Sequence, residues 1–272
     1  MKKNKARLDS LLFENEMVES RTKAKSLIMS GVVYVDNIII DKPGTMVNKD
    51  SKIKIKDNRT MYVSRGGLKL AKALEYFKID VRGKIAADIG ASTGGFTDCL
   101  LRSGVSKIYS IDVGYGQFAW RLRNDSRVVL MERTNIRYVT PDMFQDKIDF
   151  AAIDVSFISL TKVLPPVIEL LTDNGKIVCL IKPQFEAGKE KVGKKGVIRD
   201  PAIHKEVISF LIKFIKEESG LTIKGLTFSP LKGPEGNIEY LIYITNDSNH
   251  TENYDLTILI EKTVEEAHLY DY

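Results

Sequence analysis

The chain has 272 residues, of which 43% are hydrophobic and 28% charged, with 41 Lys and Arg residues against 36 Asp and Glu. This composition is typical of a folded protein and excludes wholesale disorder. The apolar runs are shorter than the roughly 20 residues that a helix needs to cross a bilayer. The sequence therefore predicts no membrane span.

The amino-terminal segment and the two cysteines bear on cellular location. The first five residues are basic, but Arg7, Asp9 and Glu14 follow where a secretory signal would be apolar, so a cytoplasmic protein is expected. Cys99 and Cys179 have no metal-ligand spacing around them, which predicts two reduced core thiols and no metal site. The pattern does not specify an oligomeric state, and a monomer is the default expectation.

The charge is distributed unevenly along the chain. Residues 1–60 hold 13 basic and 8 acidic residues, whereas residues 246–272 hold seven acidic residues and one Lys. Basic regions favour polyanionic partners, although a modest excess is also typical of a solvated surface. We predict a small domain over 1–60, a main domain over 61–245, and an acidic C-terminal helix and tail over 246–272 packed on the main domain.

The first 60 residues have the pattern of two short helices followed by three strands. Helices are predicted at 7–15 and 22–30, and strands at 32–35, 38–40 and 52–56. Ser20 is the expected N-cap of the second helix, and Gly31 its end. Asp36 and Asn37 tolerate the positive φ of a two-residue hairpin turn.

This segment resembles the small RNA-binding domain shared by a ribosomal small-subunit protein and pseudouridine synthases. The resemblance rests on the stretches Arg7-Leu8-Asp9, Ser20-Arg21, Leu27-Ile28, Gly31 to Val35 and Lys42-Pro43, with Ala24 between them. It implies RNA contacts by the basic residues of the helices, namely Arg7, Arg21, Lys23 and Lys25. A generic α/β cap with a solvated charged face is the alternative interpretation.

From Gly83 onward, apolar strands alternate with amphipathic helices, which predicts a mostly parallel α/β sheet. Strands are predicted at 85–88, 107–112, 128–132, 148–154 and 176–181, and helices at 68–77, 96–103, 160–171 and 202–219. Two further strands, 222–229 and 238–245, suggest an antiparallel pair at one edge of the sheet. A last helix over 255–267 carries the acidic tail. The predicted fold class is α/β, a Rossmann-like and mostly parallel sheet with the small α+β domain before it.

The turn from Asp88 to Gly95 places glycines where a ligand approaches the backbone, just before a helix begins. A dinucleotide fold has Gly-x-Gly-x-x-Gly, whereas the first spacing here, Gly90 to Gly94, is wider. This spacing favours S-adenosylmethionine, a cofactor without a pyrophosphate. Asp88 would favour its ammonium group, and Asp112, at the next strand end, would accept its ribose hydroxyls.

The predicted cofactor residues extend over both strand ends and the strands beyond them. They are Asp88, Gly90, Ala91, Ser92, Thr93, Gly94, Gly95, Phe96, Asp112, Val113, Asn135 and Asp154. The alternative for Asp112 is a residue that merely ends its strand.

Four charged residues fall where the crevice of such a sheet should be: Lys69, Asp154, Lys182 and Glu239. Asp154 and Lys182 directly follow apolar strands, where a charge is costly unless it is paired or faces a cleft. Lys69 and Glu239 read as ordinary surface charges when each is taken alone. The set of four indicates a catalytic site.

The set Lys-Asp-Lys-Glu is similar to that of FtsJ-like ribose methyltransferases, and the whole chain resembles the hemolysin A family. The resemblance covers nearly all of residues 5–245, through the stretches Ser64 to Leu70, Asp88 to Phe96, Asp112 to Gly116, Glu132 to Asn135, Asp154 to Leu160 and Lys182 to Glu186. It implies S-adenosylmethionine-dependent 2′-O-methylation of cytidine in ribosomal RNA, and a link to susceptibility to antibiotics that target the ribosome. The partners expected are ribosomal RNA or ribosomal subunits.

The chemistry assigns roles to the four residues. A ribose hydroxyl is a weak nucleophile at neutral pH, so attack on a sulfonium methyl needs a positioned base. Lys182 is the candidate base, and a second ammonium at Lys69 would lower its pKa by repulsion. Asp154 and Glu239 would orient the two amines.

Further basic residues are candidates for RNA contacts. They are Arg65 and the lysines of the loop after the candidate base, Lys189, Lys191, Lys194 and Lys195. A solvated loop is the alternative. Tyr115, Phe118 and Trp120 follow Asp112 and could flank adenine or a displaced base, with core packing favoured for Phe118 and Trp120.

Two alternatives to a methyltransferase stay open at this point. One is a non-catalytic RNA-binding or ribosome-assembly protein that keeps the fold, against which the intact set of four charges argues. The other is a membrane-active hemolysin, as the family name suggests, against which the lack of an apolar span argues.

Overall fold

The computed structural model describes residues 4–29, 31–55, 62–193, 196–217, 219–246 and 255–272. The chain forms two compact units, Met1–Gly67 and Leu68–Tyr272. Each unit has its own hydrophobic core.

The first unit packs two helices against short strands. The helices are α1 (Leu8–Glu14) and α2 (Arg21–Met29), and the strands are β1 (Lys5–Arg7), β2 (Val33–Val35), β3 (Ile38–Ile39), β4 (Met46–Asn48) and β5 (Ile53–Ile55). The three predicted strands form one sheet of order β3-β2-β5, while β1 pairs with β4. Strands β1 and β4 were not predicted, because Lys5–Arg7 and Met46–Asn48 contain no run of β-branched residues. The predicted ends of α2 and β5, Ser30 and Lys56, lie outside the described residues.

Two local predictions for this unit are confirmed. Asp36 and Asn37 have φ of 50° and 68° and form the turn between β2 and β3, as a two-residue hairpin requires. The hydroxyl of Ser20 accepts a hydrogen bond from the backbone N–H of Lys23 at 3.1 Å, which caps the start of α2.

A buried carboxylate fixes two of the predicted RNA-contacting side chains. Asp9 is fully buried and pairs with Arg7 at 2.9 Å and with Arg21 at 3.2 Å. The two arginine side chains remain about half exposed. Hydrogen bonding from Arg7, helped by Arg21, holds the pKa of Asp9 well below its usual value in spite of burial. Asp9 therefore presents two guanidinium groups side by side.

We expect Asp9→Ala to destabilise the first unit by about 1–3 kcal/mol, because two guanidinium groups lose their shared acceptor. Since the pKa of Asp9 is lowered on folding, its contribution is present above 3.8, its ordinary pKa, and is lost as the pH falls further. Hydrogen exchange of the α1 and α2 amides measures the change. Asp50→Ala, at an exposed position of the same unit, is the control, and equal exchange in both variants would contradict the prediction.

The second unit is built on a seven-stranded sheet of order β11-β12-β10-β9-β6-β7-β8. The strands are β6 (Ile85–Ile89), β7 (Lys107–Ile111), β8 (Val128–Met131), β9 (Ile148–Ile153), β10 (Leu171–Ile181), β11 (Thr222–Phe228) and β12 (Tyr240–Thr245). The five neighbouring strands β10, β9, β6, β7 and β8 are parallel, and β12 runs antiparallel to both β10 and β11. The predicted α/β class with an antiparallel pair at one edge is confirmed.

Helices complete this unit. They are α3 (Gly66–Tyr76), α4 (Gly95–Arg102), α5 (Trp120–Arg123), α6 (Leu160–Leu170), α7 (Pro183–Glu186), α8 (Pro201–Glu217) and α9 (Leu256–Leu269), with 3₁₀ turns at Ile136–Tyr138, Pro141–Met143 and Lys189–Lys191. Helices α5 and α7 were not predicted, since four residues show no helical period. Strand β10 begins five residues earlier than predicted, because Asp173, Asn174 and Gly175 are typical of a turn, and the ladder shifts register there.

The C-terminal helix belongs to the second unit. Asp255 caps α9 by accepting a hydrogen bond from the backbone N–H of Thr257 at 2.8 Å. Buried residues of α9 join the main core, where α9 packs on α8 and β11. His204 of α8 lies in this contact and bonds Tyr240 at 2.7 Å, and burial lowers the pKa of His204 to about 4. The acidic charges of α9 therefore lie on the outer face of a packed helix.

Candidate active site

The direction of the strands brings the four candidate catalytic residues to one edge of the sheet, the edge at which the parallel strands end. Asp154 follows β9 and Lys182 follows β10, and parallel neighbours end at the same edge. Glu239 precedes β12, which runs in the opposite direction, so its beginning lies beside the end of β10. Lys69, on the first turn of α3, reaches this edge through its side chain.

The four residues form two ion pairs. The amine of Lys69 lies 2.5 Å from Oε2 of Glu239, and the amine of Lys182 lies 2.6 Å from Oδ1 of Asp154. Ser156 adds a hydroxyl 3.0 Å from the Lys182 amine. The Glu239 side chain is only 1% exposed, whereas that of Asp154 is 20% exposed. The two lysine side chains are equally exposed, so the pairs differ in their acids: Glu239 is sealed, and Asp154 opens toward solvent.

Asp154 lies in the field of both lysines. Burial by itself would raise the pKa of Asp154, but the positive charges of Lys182 and Lys69 outweigh burial and hold the pKa below its usual value. The carboxylate is therefore ionised at neutral pH and balances the nearby ammonium charge. The two ion pairs act on each other and form one cluster.

The backbone beside this cluster is shaped by a glycine. Gly90 has φ of +88°, and a Cβ built on it would lie 2.4 Å from the carbonyl oxygen of Asp154. Only glycine fits at such a position. In the same turn, the backbone N–H of Ser92 donates to Asp112 at 2.7 Å, and the N–H of Gly114 donates to the other oxygen of Asp112 at 2.6 Å. The ends of β6, β7 and β9 are therefore held close together.

A cavity of about 850 Å³ opens between these strand ends. Six of the predicted cofactor residues line it: Gly90, Ser92, Asp112, Val113, Asn135 and Asp154. The other six, Asp88, Ala91, Thr93, Gly94, Gly95 and Phe96, are not in its wall and build the turn and the start of α4 behind it. Further lining residues were not predicted, among them Gln117, Thr134, Arg137, Ser156, Phe157, Lys162 and Phe185.

Asp88, which was predicted to favour the ammonium group of the cofactor, lies beneath the turn and not in the cavity wall. Its Oδ2 accepts hydrogen bonds from the backbone N–H and the hydroxyl of Thr97, at 2.9 and 2.7 Å. Its Oδ1 is buried without a hydrogen-bond partner among the described residues. Burial raises the pKa of Asp88 to about 7. A cation bound near Oδ1 would supply the partner that this oxygen lacks.

The fold and this site together define a Rossmann-like, S-adenosylmethionine-dependent methyltransferase. The residues fit that cofactor, since the buried Asp88 oxygen suits its ammonium group, Asp112 suits its ribose, and the cavity lies at the carboxyl ends of the strands.

Comparison with known proteins gives the same class. Residues 62–246 match the FtsJ-like methyltransferase family, and residues 6–53 match the S4 domain. The chain belongs to the FtsJ-like methyltransferase family.

Similar proteins cover almost the whole chain. The chain is 50% identical to Bacillus subtilis YqxC, whose name assigns it to rRNA methyltransferases, over 98% of this chain and 96% of that protein. It is 42% identical to the 16S/23S rRNA (cytidine-2′-O)-methyltransferase TlyA of Mycobacterium tuberculosis, over 90% and 91% of the two chains. A solved structure from Streptococcus thermophilus that carries the name hemolysin aligns with a TM-score of 0.76 at 41% identity, over 98% and 97%.

The predicted RNA-contacting residues have different surroundings. Lys23, Lys25 and Lys189 are exposed, and Lys191 is exposed but paired with Glu206. Arg65 is only 22% exposed and pairs with Asp41 at 2.5 Å. Lys194 and Lys195 lie outside the described residues.

Two residues that follow Asp154 were missed as site residues. Ser156 contacts the Lys182 amine. Phe157 is 89% exposed and has φ of +63°, a rare conformation for a residue with a bulky side chain. The sequence carried a signal for both, because they directly follow a charge at a strand end.

No metal cluster or membrane helix is found in the part of the chain that the structure describes. Its His, Cys, Asp and Glu residues form no group of three that could hold a metal ion. Its helices are too short or too polar to cross a membrane.

We expect Asp88→Asn to separate folding from cofactor binding. The folded protein holds the Asp88 proton more tightly than the unfolded chain does, so this group lowers the free energy of unfolding as the pH rises from 3.8 to about 7. An amide can still accept from Thr97 and carries no charge. Above pH 7 the variant should resist denaturant at least as well as the unaltered protein.

The same variant should bind S-adenosylmethionine at least tenfold more weakly by calorimetry, because it lacks the negative charge that is predicted to balance the ammonium group. Thr97→Val is the matched control, since it removes a hydrogen bond of Asp88 and keeps the carboxylate. Unchanged affinity in Asp88→Asn would contradict the ammonium assignment.

Proposed function

We propose that this methyltransferase transfers a methyl group from S-adenosylmethionine to the 2′-hydroxyl of a ribose in ribosomal RNA, with cytidine as the expected nucleoside. The observation that carries the proposal is the cluster of two lysine–carboxylate pairs beside the cofactor cavity. Support comes from the names of the similar proteins and from the S4 match. A cytoplasmic location agrees with such a substrate.

The cofactor supplies an electrophilic methyl group on its sulfonium centre. The chain must supply a base, since a ribose hydroxyl is a poor nucleophile at neutral pH. Lys182 is assigned this role: its ammonium first releases a proton to water, and the neutral Nζ then takes the proton of the 2′-hydroxyl as that oxygen attacks the methyl group. Asp154 and Ser156, at 2.6 and 3.0 Å, hold the amine in place. The Asp154 side chain is 20% exposed, so a substrate can approach the Lys182 amine from the side of its acidic partner.

The second pair is assigned a positioning role. The carboxylate of Glu239 is sealed from solvent and holds the Lys69 amine. A Cβ built on Gly233 would lie 2.6 Å from Oε1 of Glu239, so the backbone closes tightly around this carboxylate. Lys69 in turn acts on Asp154 through its charge. Proton transfer at Lys182 therefore takes place among fixed charges that need little rearrangement.

We expect Lys182→Arg to fold and to bind both cofactor and RNA, because the positive charge remains. A guanidinium stays protonated near neutral pH and cannot act as a base. Single-turnover methyl transfer should therefore fall by roughly 10²–10⁴-fold. Radiolabelled cofactor on ribosomal RNA measures the rate.

Lys182→Ala controls for the larger size of arginine, because it removes both bulk and charge and should be equally inactive. A lysine that only attracts phosphate would tolerate arginine. Near-normal methyl transfer by either variant would move the base role to Lys69 or to solvent.

Phe157 is proposed to stack on the base of the target nucleotide. Its ring is exposed at the edge of the cavity, with its centroid 4.8 Å from that of Phe185. We propose that the target nucleotide leaves its stack so that its ribose can enter the site, and an aromatic ring then replaces part of the lost stacking. The left-handed backbone at Phe157 fits a side chain held for such a contact.

We expect Phe157→Ala to reduce methyl transfer to ribosomal RNA at least tenfold while calorimetric affinity for S-adenosylmethionine is unchanged. Phe157→Tyr keeps the ring and should retain most of the rate. If Ala and Tyr variants transferred methyl groups equally well, the stacking role would be wrong.

Mapping of ribose methyl groups tests the proposed function itself. Ribosomal RNA from cells with and without the protein should differ by at least one 2′-O-methyl group. If its loss changed no ribose methylation, the non-catalytic RNA-binding alternative would replace the proposal. The substrate subunit is the one whose RNA loses the group.

A further inference from the structure

Two large aromatic side chains near the site are exposed and have no role in the chemistry above. Trp120, the only tryptophan of the chain, is 74% exposed, and Tyr115 is 66% exposed. Core packing was predicted for both Trp120 and Phe118, and of the two only Phe118 is buried. Exposed aromatic rings grouped on one surface mark a site of interaction.

One carboxylate oxygen organises the segments that carry these rings. Oε1 of Glu132 accepts the backbone N–H of Gly116 at 2.7 Å and pairs with the Arg123 guanidinium at 2.9 Å. Gly116 is next to Tyr115, and Arg123 lies at the end of α5, which Trp120 begins. The rings are therefore carried by two segments tied to the same oxygen.

This region lies at the same edge of the sheet as the catalytic cluster. The loop with Tyr115 follows the end of β7, and Arg133 follows the end of β8. Strands β7 and β8 are parallel to β6, so they end on the same side of the sheet as the strands of the site. The backbone N–H of Ala119 donates to the carbonyl of Thr93 at 3.2 Å, which ties α5 to the cofactor turn. The cavity wall that includes Asp112 separates the region from the lysine–carboxylate pairs.

The exposed charges of this region are positive because the acids that hold them are buried. Arg121 pairs with Asp98 at 2.5 Å, and the side chains of the two residues are 55% and 6% exposed. The Arg133 guanidinium lies over the Tyr115 ring at 4.2 Å from its centroid. Arg133 adopts φ of +54°, a costly conformation that directs its side chain.

We propose that the surface formed by Tyr115, Trp120, Arg121 and Arg133, the aromatic–arginine surface, binds an unpaired stretch of RNA beside the nucleotide that is methylated. Aromatic rings stack on unpaired bases of any sequence, and the guanidinium groups neutralise the adjoining phosphates. A base-paired duplex offers its bases only at the ends of the stack, so it fits this surface poorly. The inference rests on the proposed function in that the substrate is RNA.

The single tryptophan allows a direct test of contact. The emission of Trp120 should be quenched when the full-length protein binds a single-stranded RNA oligomer. The same oligomer annealed to its complement should bind with much less quenching. Emission is corrected for RNA absorption with free tryptophan, and sedimentation at the same concentrations shows whether self-association covers the ring.

Affinity gives the second readout. We expect Trp120→Ala to weaken binding of the single-stranded oligomer by about tenfold, in the range found for loss of one stacked base, and Trp120→Phe to restore most of it. Phe210→Ala, at a position 54% exposed on α8, is the control and should bind RNA normally. S-adenosylmethionine affinity should be unchanged in all three variants, which shows that the fold persists.

The outcomes separate this inference from the proposed function. If RNA bound without quenching Trp120, or if Trp120→Ala bound the oligomer as tightly as the unaltered protein, the inference would be wrong while methylation of ribosomal RNA could stand. Quenching caused by self-association without RNA would assign the surface to a second copy of the chain and overturn the inference. If the oligomer quenched Trp120 but no ribose were methylated, the surface would stand and the proposed function would fall.

Discussion

Two lysines and two carboxylates occupy nearly buried positions at one edge of the sheet, and each of them is tolerable there only because the others are present. An unpaired charge at such a depth would cost several kcal/mol. Lys69 with Glu239 and Lys182 with Asp154 satisfy this requirement in pairs. The same arrangement places an amine beside a carboxylate and a hydroxyl, at the open side of the cluster. The ion pairs that make the buried charges stable therefore also hold the Lys182 amine in the position of a base.

The direction of the strands makes this pairing possible. Residues that follow β9 and β10 meet at one edge because those strands are parallel, and the residue before β12 joins them because β12 is reversed. The cofactor cavity lies next to them, since β6 and β7 end at the same edge. Gly90 lets the backbone of the cofactor turn approach that of Asp154 without a clash. Substrate and cofactor sites are thus adjacent through the topology of the sheet.

Both units use buried acids to hold exposed arginines. In the first unit, Asp9 fixes Arg7 and Arg21 with about half of each side chain exposed. In the second, Asp98 holds Arg121. A buried carboxylate with no solvent-facing charge leaves the surface positive, while the ion pair limits the freedom of the long side chain. Such fixed cations suit contacts with phosphates, because less side-chain entropy is lost on binding.

The sequence alone determined the class of fold, the cofactor and the family, because these depend on periodic apolar runs, a glycine turn and charges at strand ends, all of which are local in the chain. It also indicated Lys69, Asp154, Lys182 and Glu239 as a set, although their individual roles stay predictions. Only the tertiary structure decided which residues from different helices and strands contact one another. Asp88 is beneath the turn instead of in the cavity wall, because Thr97 of α4 takes its carboxylate. Trp120 is exposed although core packing was favoured for it, since α5 is one short turn whose buried face is filled by Leu122. Which carboxylate pairs with which lysine follows from strand order and direction, and periodicity carries no information about either.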